Sequence, residues 1–138
     1  MKTLIVKYIP RYAQSNTKKL LDAFIEEISN SNVEELDLLD DVPYILLDKN
    51  LLAYINRNFL GLKLLPNKEK LLSKMNRMTT PLASADIIVI AFPMYNFSIP
   101  SIVKTWFDFV IQKGVTFGNE TDGPMAISNA GKKALTLI

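Results

Sequence analysis

Neither cysteine nor histidine occurs in the chain. Their absence excludes a thiol nucleophile, a disulfide framework, a Cys/His zinc site and a Ser-His-Asp triad. Chemistry must therefore come from carboxylates, hydroxyls, lysines or a bound cofactor. No Gly-x-Gly-x-x-Gly is present, and Gly131-Lys132 is not a P-loop, because Ala126 stands where a glycine is required and no Ser or Thr follows the lysine. No apolar run approaches the ~20 residues that span a bilayer. Met1-Lys2-Thr3-Leu4-Ile5-Val6 reads as a strand rather than a signal peptide, so the expectation is a cytoplasmic protein with no membrane partner. Neither sign of charge dominates: 16 Lys+Arg stand against 14 Asp+Glu, interspersed along the chain. Nucleic acid is therefore not expected as a partner.

What remains is a chain of 138 residues, 49% hydrophobic, with the length for one core and one domain. Thr3 to Tyr8 is an apolar run that reads as strand one. After Pro10-Arg11-Tyr12-Ala13-Gln14, a helical pattern carries Leu20, Leu21, Phe24, Ile25 and Ile28 on one face, with Ser15 as its N-cap. The Asn30-Ser31-Asn32 cluster should stop that helix, and the partial alternation of Val33, Leu36 and Leu38 fits a strand at a sheet edge. Residues 41 to 66, rich in Leu but broken by Pro43, Gly61 and Pro66, read as short helical or irregular segments. Helical spacing resumes from Asn67 to Ser84, with Met75 and Met78 as core and Pro81 as a break that Thr80 would cap. Strand three, 86 to 92, is continuously apolar. A fourth helix runs from Pro100 through Trp106 and Phe107 towards Gly114, expected as its C′ residue. A polar loop then leads to a last strand, 134 to 138. Alternating helices and unbroken apolar strands predict an α/β fold with a doubly wound parallel sheet and helices on both faces.

In such sheets ligands sit beyond the carboxyl ends of the strands, where two unusual loops emerge. In YIPRYAQSNTKK, Gln14, Ser15, Asn16 and Thr17 gather amide, hydroxyl and backbone donors at a helix N-terminus, a recipe for a phosphate monoester. Ser15 also caps helices in proteins with no ligand, so this loop alone leaves both roles open. In PMYNFSIPS, Met94, Tyr95 and Phe97 offer faces for an aromatic ring system, and Pro93 and Pro100 limit backbone freedom. Met94 and Phe97 packed inward as apolar plugs is the alternative.

The string Pro93-Met94-Tyr95-Asn96-Phe97-Ser98-Ile99-Pro100, then Lys104, Trp106-Phe107-Asp108 and Gly114-Val115-Thr116-Phe117, resembles the bacterial FMN-dependent NADH azoreductases and quinone reductases. Asp122-Gly123-Pro124 resembles a turn of that family, and Gly131-Lys132-Lys133 precedes strand four as in its members. The resemblance implies a flavodoxin-like fold, C-terminally incomplete, with one domain over 1–138 ending within strand four. It also implies FMN as cofactor, NADH as electron donor, quinones or azo compounds as substrates, ping-pong turnover and a homodimer. Carried over by position, Ala13, Gln14 and Ser15 would hold the FMN phosphate, and Met94, Tyr95, Asn96 and Phe97 would line the isoalloxazine. Phe117 would wall the substrate pocket. Asn96→Pro, removing a backbone N–H at the flavin edge, would then lower flavin reduction more than folding. Tyr8-Ile9 stands where the family often has a serine, and Gly118 where a larger residue is common. A truncated, self-associating fragment with weak or no flavin binding is the alternative reading.

Overall fold

Four short strands pair side by side into a parallel sheet in the computed structural model, which describes residues 1–28, 32–120, 123–126 and 131–138. The elements, in chain order, are β1 (Lys2–Lys7), α1 (Asn16–Glu27), β2 (Asn32–Asp37), α2 (Asp48–Asn58), α3 (Pro66–Glu69), α4 (Ser73–Ser84), β3 (Ile87–Ala91), α5 (Ser101–Val110), β4 (Phe117–Glu120), β5 (Gly123–Ala126) and β6 (Lys133–Leu137). The sheet order β2-β1-β3-β6 is the opening of the flavodoxin-like order 2-1-3-4-5. The expected stop at Asn30-Ser31 and the turn at Asp122 lie outside the described residues.

The backbone divides into two compact units, Met1–Val42 with Ser84–Lys104 and Gly131–Ile138, and Pro43–Ala83 with Thr105–Ala130. In the first unit, four consecutive residues of β1 and four of β3 are buried, as the unbroken apolar runs predict for a sheet covered on both faces. β2 and β6 are the edges and are more exposed. One side of the sheet packs Ile5, Ile9, Val89 and Ala91 against Leu21 of α1, with Phe24, Ile25 and Ile28 completing the contact. Burying Ile5, Ile9, Leu21 or Val89 is worth about 1.5–3 kcal/mol each. Leu20 is a correction: it lies 49% exposed, because its neighbour Leu21 takes the inward direction and a residue one step away turns by about 100°.

The second unit departs further from the expectations. The Leu-rich stretch 41 to 66 is, as expected, partly helical and partly irregular, its helix being the 11-residue α2. Helix α4 continues through Pro81 instead of breaking there, since the buried row Met75, Met78, Thr79 and Leu82 outweighs one lost backbone bond. Thr79 and Thr80 do not cap a new turn; their hydroxyls donate to the Met75 and Asn76 carbonyls at 2.8 and 3.0 Å. Helix α5 ends at Val110, short of Gly114, and its innermost residues are Val103, Trp106, Phe109 and Val110, with Ile111 exposed. The end is fixed by Gln112, a fully buried amide. Its Nε2 donates to Thr79 Oγ1 at 2.6 Å and to the Phe109 carbonyl at 3.0 Å, while its backbone N–H donates to Thr116 Oγ1 at 2.8 Å. Gly114, at φ +81°, serves the turn that follows. The polar loop beyond holds an antiparallel hairpin, β4 with β5, in the register Phe117↔Ala126 to Glu120↔Gly123.

Candidate functional site

The register brings three chain segments out at one edge of the sheet. Lys7 of β1 and Leu137 of β6 both pair with Ala91 of β3. The backbone bonds Tyr8 N–H to Ala91 carbonyl, 2.9 Å, and Phe92 N–H to Leu137 carbonyl, 3.1 Å, carry the ladder one residue further. Residues 8–15, residues 92–100 and Ile138 therefore emerge side by side, past the carboxyl ends of their strands. Between them lies a cleft of about 390 Å³, within the range of small-molecule sites. Pro10, Arg11, Gln14, Ser15, Asn16 and Thr17 line one side, and Pro93, Met94 and Tyr95 the other, with Ile138 closing an end.

The first wall is the start of α1. Ser15 is the N-cap, its Oγ accepting from the Lys18 N–H at 3.3 Å, so the expected capping role is real. The helix itself cannot satisfy the N–H groups of Asn16 and Thr17, and no acidic side chain occupies its first turn. That end is therefore electropositive and open to an anion. Arg11, which sequence reasoning passed over, lies in this wall and donates from Nη2 to Gln14 Oε1 at 3.0 Å. Its signal was the residue type, since arginine is the side chain most often used to grip phosphate.

The second wall is a hairpin-like loop. Tyr95 and Ser98 exchange both backbone bonds, at 3.0 and 2.9 Å, around Asn96 and Phe97, whose φ values are +49° and +61°. Positive φ at both central residues is the mark of a type I′ turn. Asparagine tolerates it; phenylalanine does so at a cost of about 1–2 kcal/mol. Phe97 is 97% exposed, so the alternative of an inward apolar plug fails for it, and Met94 is half exposed as well. Behind the loop, the Tyr8 ring meets Tyr95 edge-on, with centroids 6.2 Å apart and planes at 86°. Burial, and then the Tyr95 hydroxyl, push the Tyr8 phenol above its ordinary value.

Of the residues singled out from the sequence, Gln14, Ser15, Met94 and Tyr95 come together around the cleft. Ala13 is exposed in the turn before α1, and Asn96 and Phe97 form the loop tip. Phe117 belongs to the second unit, half-buried at the start of β4, its N–H donating to the Gln112 carbonyl at 3.3 Å. Among the described residues no group of acidic side chains is placed to hold a metal ion, and no helix is long and apolar enough to cross a membrane. The arrangement suits a ligand with an anion at one end and a flat apolar body at the other.

Comparison with known proteins agrees. A family model described as flavodoxin-like fold matches residues 1–138. FMN-dependent NADH:quinone oxidoreductase 2 of Halalkalibacterium halodurans is 33% identical over 140 residues, covering 97% of this chain and 66% of that protein. Its namesake in Pseudomonas fluorescens is 31% identical over 142 residues, covering 99% and 68%. Among solved structures, an azoreductase from Bacillus anthracis superposes with a TM-score of 0.84 at 26% identity, over 98% of this chain and 66% of that one. An FMN-dependent NADH-azoreductase from the same species, in complex with FMN, gives 0.83 at 27% identity, over the same shares. The chain thus spans about two thirds of the length of the relatives it matches. It belongs to the flavodoxin-like family that includes FMN-dependent NADH:quinone oxidoreductases and azoreductases.

Proposed function

We propose that the chain is a cytoplasmic, homodimeric FMN-dependent NADH:quinone oxidoreductase with azoreductase activity. The observation that carries this reading is the cleft itself, with a helix N-terminus at one end and an aromatic, strained loop beside it. FMN fits the donor set: a phosphate meets the open amides of Asn16 and Thr17 with Gln14 and Ser15, and a flat ring system meets Met94 and Tyr95. In this reading Ala13 contributes backbone next to the phosphate, and Asn96 and Phe97 the backbone and ring at the loop tip. The type I′ turn holds those groups in place before any ligand arrives, which lowers the entropy lost on binding. Tyr8 braces Tyr95 from behind. Phe117 is the residue that this reading assigns to the quinone or azo substrate. When bound, FMN supplies the two-electron chemistry, taking hydride from NADH and passing it to the acceptor in alternation. Neither a thiol nor an imidazole is required, in keeping with a chain that has none.

A second reading, a self-associating chain with weak or no flavin binding, draws support from one observation. Besides its inner side at Ala53 and Tyr54, α2 turns Leu51, Leu52, Ile55 and Phe59 to solvent within one 100° arc, more apolar surface than a lone helix face usually shows. The test is anaerobic NADH oxidation by the purified chain, with FMN and a benzoquinone added separately and together. Oxidation that needs both is expected, with two NADH consumed per azo bond when an azo dye replaces the quinone. A folded chain giving no FMN-dependent oxidation favours the second reading.

A further inference from the structure

We propose that the segment following α2, residues 59–70, is a docking surface for an anionic lipid bilayer, which the chain touches from one side without crossing it. Leu60, Leu62 and Leu65 are 62%, 52% and 69% exposed, in a stretch whose course is set by backbone bonds. The Leu60 N–H donates to the Ile55 carbonyl at 3.1 Å and the Leu62 N–H to the Asn56 carbonyl at 2.9 Å. These bonds turn the chain at Gly61, φ +66°, and hold it to the end of α2. The Lys68 N–H then donates to the Leu65 carbonyl at 2.9 Å, so α3 starts directly after the last of these leucines. Arg57 Nη1 and Glu69 Oε1, 3.0 Å apart, tie α3 to α2. Three large apolar side chains are thus kept in water by the main chain, and covering them with an apolar phase is favourable.

The charge around them selects the occupant. Over the whole chain the two signs nearly balance, but from Lys49 to Ala85 seven Lys and Arg stand against one carboxylate, Glu69, and that one is paired with Arg57. Lys63, Lys68 and Lys70 are exposed, and none of them joins the ion pairs found among the described residues. Two copies meeting through this segment would set like charges against each other. A nucleic acid would engage the lysines and leave the leucines in water. Leucines interleaved with exposed lysines match the acyl boundary and anionic headgroups of a bilayer surface, which meet both kinds of side chain at once. The lack of a spanning segment, from which no membrane partner was expected, does not bear on a contact of this kind.

Co-sedimentation of the purified chain with phosphatidylcholine vesicles, with and without phosphatidylserine, tests this in the absence of flavin. Binding to the vesicles containing phosphatidylserine should be about tenfold or more stronger than to phosphatidylcholine alone, and added salt should weaken it. Leu62→Ser with Leu65→Ser, and separately Lys63→Glu with Lys68→Glu, should each weaken it by about 10- to 100-fold. All four side chains are exposed, so far-UV dichroism should match wild type. Lys19→Glu with Lys133→Glu changes the net charge equally on the first unit and should cost less than about threefold. Equal losses for the two lysine pairs, undiminished binding by the leucine pair, equal binding to both vesicles, or no binding by the folded chain overturns the proposal. A chain that ignores vesicles, and whose dimer dissociates in Leu62→Ser with Leu65→Ser by sedimentation velocity, overturns it in favour of a second copy as occupant.

Discussion

At Phe97 the chain adopts a backbone conformation that its side chain disfavours, and the ring gains no packing in return. Strain of this kind persists where function holds it. Phe97→Gly should therefore leave stability unchanged or raise it by up to about 1 kcal/mol, while weakening FMN binding. Urea denaturation and flavin titration on the same variant separate the two effects. Asn96→Pro, the obvious probe from the sequence, is unsuitable, because proline cannot take φ +49° and would break the turn itself. Gln112 illustrates the opposite case, a residue unremarkable in sequence and central in the fold. Replacing it with alanine removes the donor to Thr79 Oγ1 and to the Phe109 carbonyl and opens a cavity. It should destabilise the chain by about 3 kcal/mol, read from the urea midpoint.

Elements differed in how far the sequence disclosed them. β1, α1 and β3 were legible because each has a clean period or an unbroken apolar run, and the Ser15 cap marked the start of α1. The two loops of the cleft were legible because they carry chemistry that a solvent loop does not need. α2 was not, since its apolar residues lie on two sides and blur the helical period. The course of α4 through Pro81 was hidden because burial, which no local rule contains, overrides the proline. The end of α5 depends on a buried amide network spanning 33 residues of sequence, from Thr79 to Gln112. At this scale, Pro81→Ala should restore a backbone donor in mid-helix and stabilise by about 1–3 kcal/mol. Ser15→Ala should cost about 1 kcal/mol through the lost cap. Thermal melts of both variants check the two signs.

Over the whole molecule, the lack of histidine leaves no side chain that ordinarily titrates between pH 5 and 8, so stability should be flat there. Above that range, two groups act together. For Lys7, burial favours the neutral form, but the hydrogen bond to Glu35 and the charges of Glu35 and Asp37 outweigh it, leaving a raised pKa. Tyr8 is raised above 10.0 by burial and Tyr95. A raised folded-state pKa gives stability that is present below the unfolded value and lost as pH rises through the folded one. Both contributions should therefore fade above about pH 10, with a smaller alkaline loss in Tyr8→Phe, measured by urea midpoints across pH. The exposed apolar outer side of α2 would serve the self-association proposed above. Leu52→Lys, one turn from Asp48, should keep the helix and shift a dimer towards monomer by sedimentation.

This chain, about two thirds the length of its relatives, should hold FMN at the cleft formed beyond β1, β3 and β6. Calorimetric titration of the purified chain with FMN tests it most directly. Saturable binding at one site per chain is expected, abolished by a bulky charge in the phosphate wall such as Ser15→Glu. Heats no larger than dilution from a chain that is folded by dichroism would contradict it.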